Sequence, residues 1–216
     1  MIVGAAGSGC GTATSTVASV TTVATTPSWT GYNNPVPTTL CVGETVAFSA
    51  GVTGGSGGTV TWIRSATSGA AGTTVTTGDI PAVGTWYYRA TYTPTCSGCN
   101  LLDGTETMVT VKAISAAPVI STITSGGVGS TTSTVVGTST EADGTTIQVF
   151  KAGTTFLGFV TVSSNGWTIS GLTLATEDVI TAKATASGKC VSPASNAATI
   201  PDAPSGSASQ SFCSGN

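Results

Sequence analysis

Histidine does not occur anywhere in the 216 residues. Its absence removes Ser-His-Asp and Cys-His nucleophilic machinery and most zinc-ligand sets in one step. Charge is nearly missing as well: Asp, Glu, Lys and Arg together make up 7% of the chain, and the net charge is −3. So few cations cannot form the basic patch that neutralises nucleic-acid phosphates, nor a polybasic run for an anionic membrane surface. No run of 18 or more apolar residues occurs, which excludes a hydropathic transmembrane helix. The mean hydropathy is nonetheless positive, which sets the chain apart from disordered sequences of low hydrophobicity and high charge. Helix formers are poorly supplied. No signal peptide is expected in this stretch, because the first basic residue is Arg64. Gly7-Ser8-Gly9-Cys10 has the small residues of a lipoprotein cleavage site without a charged start or an apolar stretch before it. The N-terminus therefore reads as a cut, or a numbering restart, inside a longer protein.

What is present is Thr, Ser and Gly. The 44 Thr and 26 Ser fill about a third of the chain and 29 Gly punctuate it. Thr and Val suit a pleated, half-buried surface, and Gly, Ser, Asn and Pro suit turns. The composition predicts an all-β protein. Strand signals recur every 8–12 residues, the spacing of a sandwich or barrel. A first unit predicts strands at Glu44–Ala50, Thr59–Arg64, Gly84–Thr93 and Glu106–Lys112. In Trp86–Tyr92, Trp86, Tyr88, Ala90 and Tyr92 fall on one face. A second unit predicts strands at Thr134–Thr140, Thr146–Lys151, Thr155–Val162, Gly166–Ser170, Val179–Ala186 and Ala194–Ile200. Its turns are marked by Ala142-Asp143-Gly144, Lys151-Ala152-Gly153 and Ser164-Asn165-Gly166.

The junction Ala113–Pro118 is too short for a flexible linker, so the units are expected to stack end to end. The predicted domains are 26–114 and 115–201, with 1–25 as the C-terminal strand or strands of a preceding unit and 202–216 as a linker and the start of a following repeat. The ends echo the interior. Ser8-Gly9-Cys10 resembles Ser187-Gly188-Lys189-Cys190, and Ser211-Phe212-Cys213-Ser214-Gly215 resembles Thr39-Leu40-Cys41-Val42-Gly43. The offsets, 180 and 172 residues, suggest a two-domain repeat of about 175 residues in a longer array.

Cys41-Val42-Gly43-Glu44-Thr45-Val46, Gly57-Gly58-Thr59-Val60-Thr61-Trp62 and Gly84-Thr85-Trp86-Tyr87-Tyr88 together resemble the immunoglobulin-like repeats of giant Bacteroidota surface adhesins, the flavobacterial gliding adhesins among them. Gly137-Thr138-Ser139-Thr140-Glu141-Ala142-Asp143-Gly144-Thr145-Thr146-Ile147 is similar to the bacterial immunoglobulin-like repeats of the same proteins. The resemblance implies tandem immunoglobulin-like β-sandwich domains, type IX secretion, an extracellular location at the cell surface, and adhesion to surfaces or polysaccharide. Trp62 matches the strand C tryptophan of such domains. Tyr88 stands at the strand F position where a vertebrate-type domain has cysteine, so the first unit should fill the inter-sheet space with aromatics.

Six cysteines remain to be placed. Cys96-Ser97-Gly98-Cys99 lacks the βαβ context of a redox motif and a second CxxC for zinc, so a local disulfide pinning a hairpin is expected. On the immunoglobulin layout, Cys41 starts strand B at the C-terminal end of its domain. Cys190 lies in the F–G region at the N-terminal end of the next. Stacking brings those ends together, and a Cys41–Cys190 disulfide across the junction is expected. Cys10 and Cys213, unpaired within the chain, would then bond to units beyond it. Cys10–Cys41 and Cys190–Cys213 are the rival pairings.

Other candidates weigh against blander roles. Trp62, Trp86, Tyr88 and Trp167 fit core positions better than a sugar-stacking platform. Trp29 and Tyr32, in a Pro-rich stretch, are expected to plug the domain junction. Glu141, Asp143 and Asp202 are too isolated to assemble a calcium site. No Asn-x-Ser/Thr sequon occurs, and Thr reads as the filler of outward β positions. No catalytic, metal or cofactor site is expected. The functional expectation is a structural rod or stalk of a filamentous adhesin whose partners are neighbouring repeats, with surface polysaccharide or glycans contacted through other regions. The alternatives are a self-assembling fibre subunit and a carbohydrate-binding module.

Overall fold

Period-two alternation yields strands throughout the computed structural model, which describes residues 26–55, 57–95, 99, 101–125 and 132–200. Among the described residues between 28 and 112 there are eight strands: β1 (Ser28–Val36), β2 (Thr39–Cys41), β3 (Ala47–Thr53), β4 (Gly58–Ser65), β5 (Thr73–Val75), β6 (Gly84–Pro94), β7 (Leu102–Asp103) and β8 (Thr107–Lys112). One sheet pairs β1 with β3. The other runs β2-β8-β6-β4-β5, with β7 on β6. The chain changes sheets between β1 and β2, at a cis Val36–Pro37 peptide, and β2 then pairs parallel to β8 while the other pairs are antiparallel. On β8, Val109 and Val111 are buried and Met108 is exposed, so a one-residue slip would turn the core face outward.

Aromatics fill the space between these sheets. Phe48 lies 4.6 Å from Trp62 and 5.7 Å from Tyr88, centroid to centroid. Trp86 sits two residues before Tyr88, and its indole N–H donates to the Ala82 carbonyl at 2.7 Å. That is the place and the bond of the tyrosine corner of immunoglobulin domains, made here by tryptophan. Trp86→Phe keeps an aromatic ring, though a smaller one, and removes the donor. Urea unfolding is expected to show a loss of about 1 kcal/mol, the worth of one hydrogen bond. Beside it, Arg64 Nη1 donates to both carboxylate oxygens of Asp79, at 2.9 and 2.7 Å, and Tyr88 Oη donates to Asp79 Oδ2 at 2.6 Å. The Arg64 guanidinium lies 4.7 Å from the Trp86 ring centre. The Asp79 backbone carbonyl accepts from Val46 N–H, just before β3, tying the two sheets together.

The prolines that make residues 27–37 look irregular do not prevent β1. Among the described residues it pairs with β3 alone, through a ladder interrupted around Asn33 and Val36, and such an edge tolerates Pro35. Trp29 and Tyr32 therefore do not plug the junction with the second strand set. Tyr32 packs 5.5 Å from Trp62 and Trp29 packs 5.3 Å from Tyr32, closing the first core.

Seven strands follow among the described residues: β9 (Val119–Ser125), β10 (Ser133–Thr138), β11 (Thr146–Lys151), β12 (Thr155–Thr161), β13 (Gly166–Leu172), β14 (Val179–Thr185) and β15 (Ala198–Thr199). They form the sheets β13-β10-β9 and β12-β11-β14-β15 over a separate core that includes Val135, Ile147, Val149, Trp167 and Ile180. The last strand is shorter than the sequence suggests. Ser192 and Ser195 reach along β14 through both backbone and hydroxyl bonds to Ala184 and Ala182, and ladder pairing begins only at Ala198. The turn before β13 has Ser164 and Asn165 at positive φ (51° and 63°), one residue earlier than Asn-Gly would place it, between mutual Ser163 and Gly166 bonds.

Gly137 pairs with Trp167 across β10 and β13. A Cβ there would overlap the indole and the Val119 carbonyl. Gly137→Ala is expected to cost about 1–3 kcal/mol as the ring or β9 is forced aside, measurable as a lower urea midpoint with unchanged slope. Outward threonines pair laterally, as Thr61 Oγ1 does with Thr91 Oγ1 at 2.9 Å, supplying cross-strand contacts where other proteins place ion pairs. All described regular elements are strands, and the fold is an immunoglobulin-like β-sandwich.

Candidate functional site

The feature with most chemistry lies where the two strand sets meet. Parallel pairing of β2 and β8 sets Cys41 opposite Lys112. The end of β2 and the exit of β8 thus arrive side by side, and Val42 N–H donates to the Lys112 carbonyl at 2.9 Å. Cys41 closes β2 rather than opening the next strand. Its N–H donates to Glu44 Oε2 at 2.7 Å and its carbonyl accepts from Glu44 N–H at 3.1 Å, in a turn through Gly43 (φ 94°) that delays β3 to Ala47.

Cys190 meets this edge from the connection after β14. Its N–H donates to the Ala113 carbonyl at 2.8 Å. Its carbonyl accepts from Ser115 N–H at 2.9 Å and from Ser115 Oγ–H at 2.7 Å. Its sulfur is bonded to Cys41 at 2.01 Å, with Cα atoms 5.9 Å apart. Every polar backbone group of Cys190 and its side chain are thus engaged on the connecting segment or on β2. Ser115, 2% exposed, also accepts from Ala186 N–H at 3.0 Å, which anchors the connection to the end of β14.

Glu141 completes the site, a role that nothing in its local sequence signals. It is buried, with its carboxylate accepting from Lys189 Nζ at 3.0 and 2.8 Å and from Ala116 N–H at 2.6 Å. The Lys189 hydrogen bond, then the Ala116 amide, hold its carboxyl below the ordinary range. A depressed carboxylate stabilises the fold above its unfolded pKa of about 4.3, and that contribution is lost as pH falls through the folded value. The melting-temperature gap between wild type and Glu141→Gln should therefore be widest at neutral pH and narrow as pH falls below about 4. Glu106, held low by Ser68 and the Gly69 amide, and Asp178, held low by Lys151 and the Ala175 amide, add acid sensitivity of the same sign.

Among the other sequence candidates, Cys99 is disulfide-bonded. Cys96, Cys10, Cys213 and Asp202 lie outside the described residues. No group of three or more acidic, cysteine or histidine side chains gathers among the described residues. Trp62, Tyr88, Tyr92 and Trp167 are buried, so they present no stacking platform. A shallow cleft along residues 140–145 and 186–189 has the Glu141–Lys189 pair in its wall.

No protein-family model and no curated protein matches the chain. Among solved structures it is similar to a biofilm-associated protein domain, at 18% identity over 81% of this chain and 30% of that one (TM-score 0.34). It is similar to the human OSCAR ligand-binding domain at 11% identity over 83% of this chain and 100% of that one (TM-score 0.35). It is also similar to a set of titin domains at 9% identity over 83% and 68% (TM-score 0.38). The chain thus spans under a third of the biofilm-associated structure.

Proposed function

We propose that this chain is a rod segment of a secreted, filamentous cell-surface adhesin. Residues 26–114 and 115–201 are its successive immunoglobulin-like domains, stacked end to end, with 1–25 and 202–216 belonging to the adjoining repeats. The observation that carries this reading is the Cys190 node, where one residue is bonded covalently to β2 and through both backbone groups to the connection. A flexible linker would need none of these bonds, whereas a stiff spacer needs all of them. Disulfides persist in oxidising compartments, which favours an extracellular setting. Type IX secretion and a part in gliding or surface attachment rest on the resemblance of Cys41–Val46, Gly57–Trp62 and Gly84–Tyr88 to Bacteroidota adhesin repeats. The partners of this segment are then the neighbouring repeats, and any glycan contact belongs to other regions of the parent protein.

Small-angle scattering tests the rod. The expected profile is an elongated particle one sandwich wide, whose maximum dimension does not change with salt. A broad distribution of inter-domain distances, or high-affinity capture of a surface glycan by this segment alone, would replace the rod reading with a tethered or adhesive one.

A further inference from the structure

The disulfide joins residues 149 apart in sequence, and its position decides which part of the chain bears load. Followed from residue 26, the backbone runs along β1 and β2 and reaches Cys41 at the junction. From Cys190, residues 192–200 run beside the whole length of β14, from Ala184 to Asp178. Tension applied at the two ends of residues 26–200 therefore has a short covalent route: β1, β2, the sulfur–sulfur bond, and residues 190–200.

We propose that the Cys41–Cys190 bond is a tension bypass that removes residues 42–189 from the load-bearing chain. This deepens the rod reading and presumes that the segment is pulled along its length. Both strand stretches on the route are already extended, so little slack can be drawn from them. Everything from β3 to β14, including nearly all of both cores, hangs on the closed loop and cannot be stretched out while the bond holds. The connection 113–118, the obvious weak point between stacked sandwiches, lies within the loop too. Asn196 secures the route in the second sandwich, where its side-chain amide accepts from Ile120 N–H at 2.9 Å and donates to the Ile120 carbonyl at 3.1 Å. At about 3.3–3.6 Å per extended residue, the loop hides roughly 500 Å of chain.

Single-molecule pulling of the full chain by handles at its two termini tests this directly. The oxidised protein is expected to release no more than about 100 Å from residues 26–41 and 190–200. The Cys41→Ser/Cys190→Ser variant is expected to release about 500 Å more. Should the variant be unfolded at the outset, thiol reductant added to the wild-type chain held under force gives the same reading, as a total gain of about 500 Å once the bond is cut and the two sandwiches unfold. Equal extension of oxidised and reduced chains, or full-length extension of the oxidised chain, would overturn the proposal. Scattering and glycan binding judge the rod reading separately, since neither depends on the pulling result.

Discussion

Reducing the Cys41–Cys190 bond, or replacing both cysteines by serine, is expected to lower the melting temperature by more than about 10 °C. In the chain-entropy account, a cross-link stabilises by restricting the unfolded chain, and the restriction grows with the logarithm of the loop it closes. For the 149-residue separation here that relation approaches an upper bound of about 5 kcal/mol, and typical bonds deliver about 2–4. Unfolding of the first sandwich alone does not escape the constraint. Its chain between Cys41 and Ala113 would still be held at both ends on Cys190, by sulfur and by backbone bonds. With roughly 4–8 °C per kcal/mol for domains of this size, about 3 kcal/mol gives the stated shift. Differential scanning calorimetry with and without reductant measures it. A shift under about 3 °C would mean that the loop gains nothing from closure.

Asp79→Ala is expected to be the most damaging single substitution in the first sandwich, at about 3 kcal/mol in urea unfolding. The side chains of Arg64 and Asp79 are only 20% and 14% exposed. Removing the carboxylate strands the guanidinium and leaves the Tyr88 hydroxyl, on a residue with no exposed surface, without its acceptor. Stranding a buried charge costs more than the pair itself is worth. Burial first, and then the hydrogen bond and charge of Asp79, push the Tyr88 phenol well above its ordinary pKa, so the Asp79→Ala change should also ease its ionisation. Tyr88→Phe deletes a single bond and leaves the ion pair intact, and about 1–2 kcal/mol is expected. If Tyr88→Phe cost as much as Asp79→Ala, packing rather than charge would explain the cluster.

The legible part of the fold was the part written in strict alternation. β4, β6 and β8 and most of the second sandwich follow period two, and their inward faces can be read from Val60, Trp62, Tyr88, Ala90, Val109 and Val111. β1 was hidden because Pro27, Pro35 and Pro37 signal irregular chain, and only pairing on one side makes them compatible with a strand. β2 was hidden because three residues carry no periodicity. That omission moved Cys41 onto the wrong strand, although the end of the domain on which it falls is the same for either strand. Glu141 and Ser115 gave no local signal. Their roles depend on Lys189 and Cys190, which are 48 and 75 residues away. Trp86 was readable as a core residue but not as a corner, since the Ala82 carbonyl becomes its partner only once the turn before β6 is built.

Parallel pairing of β2 with β8 has a further consequence. Because Cys41 and Lys112 stand opposite each other, the two covalent crossings between the strand sets are neighbours in one sheet. A body suspended from a single thread can spin about it. Suspended from two threads side by side, it can swing but cannot rotate without winding one around the other. In the rod proposed above, the junction would then resist torsion more than bending, because both crossings lie on one sheet edge. Cutting the sulfur bond would free that rotation before it loosened either core.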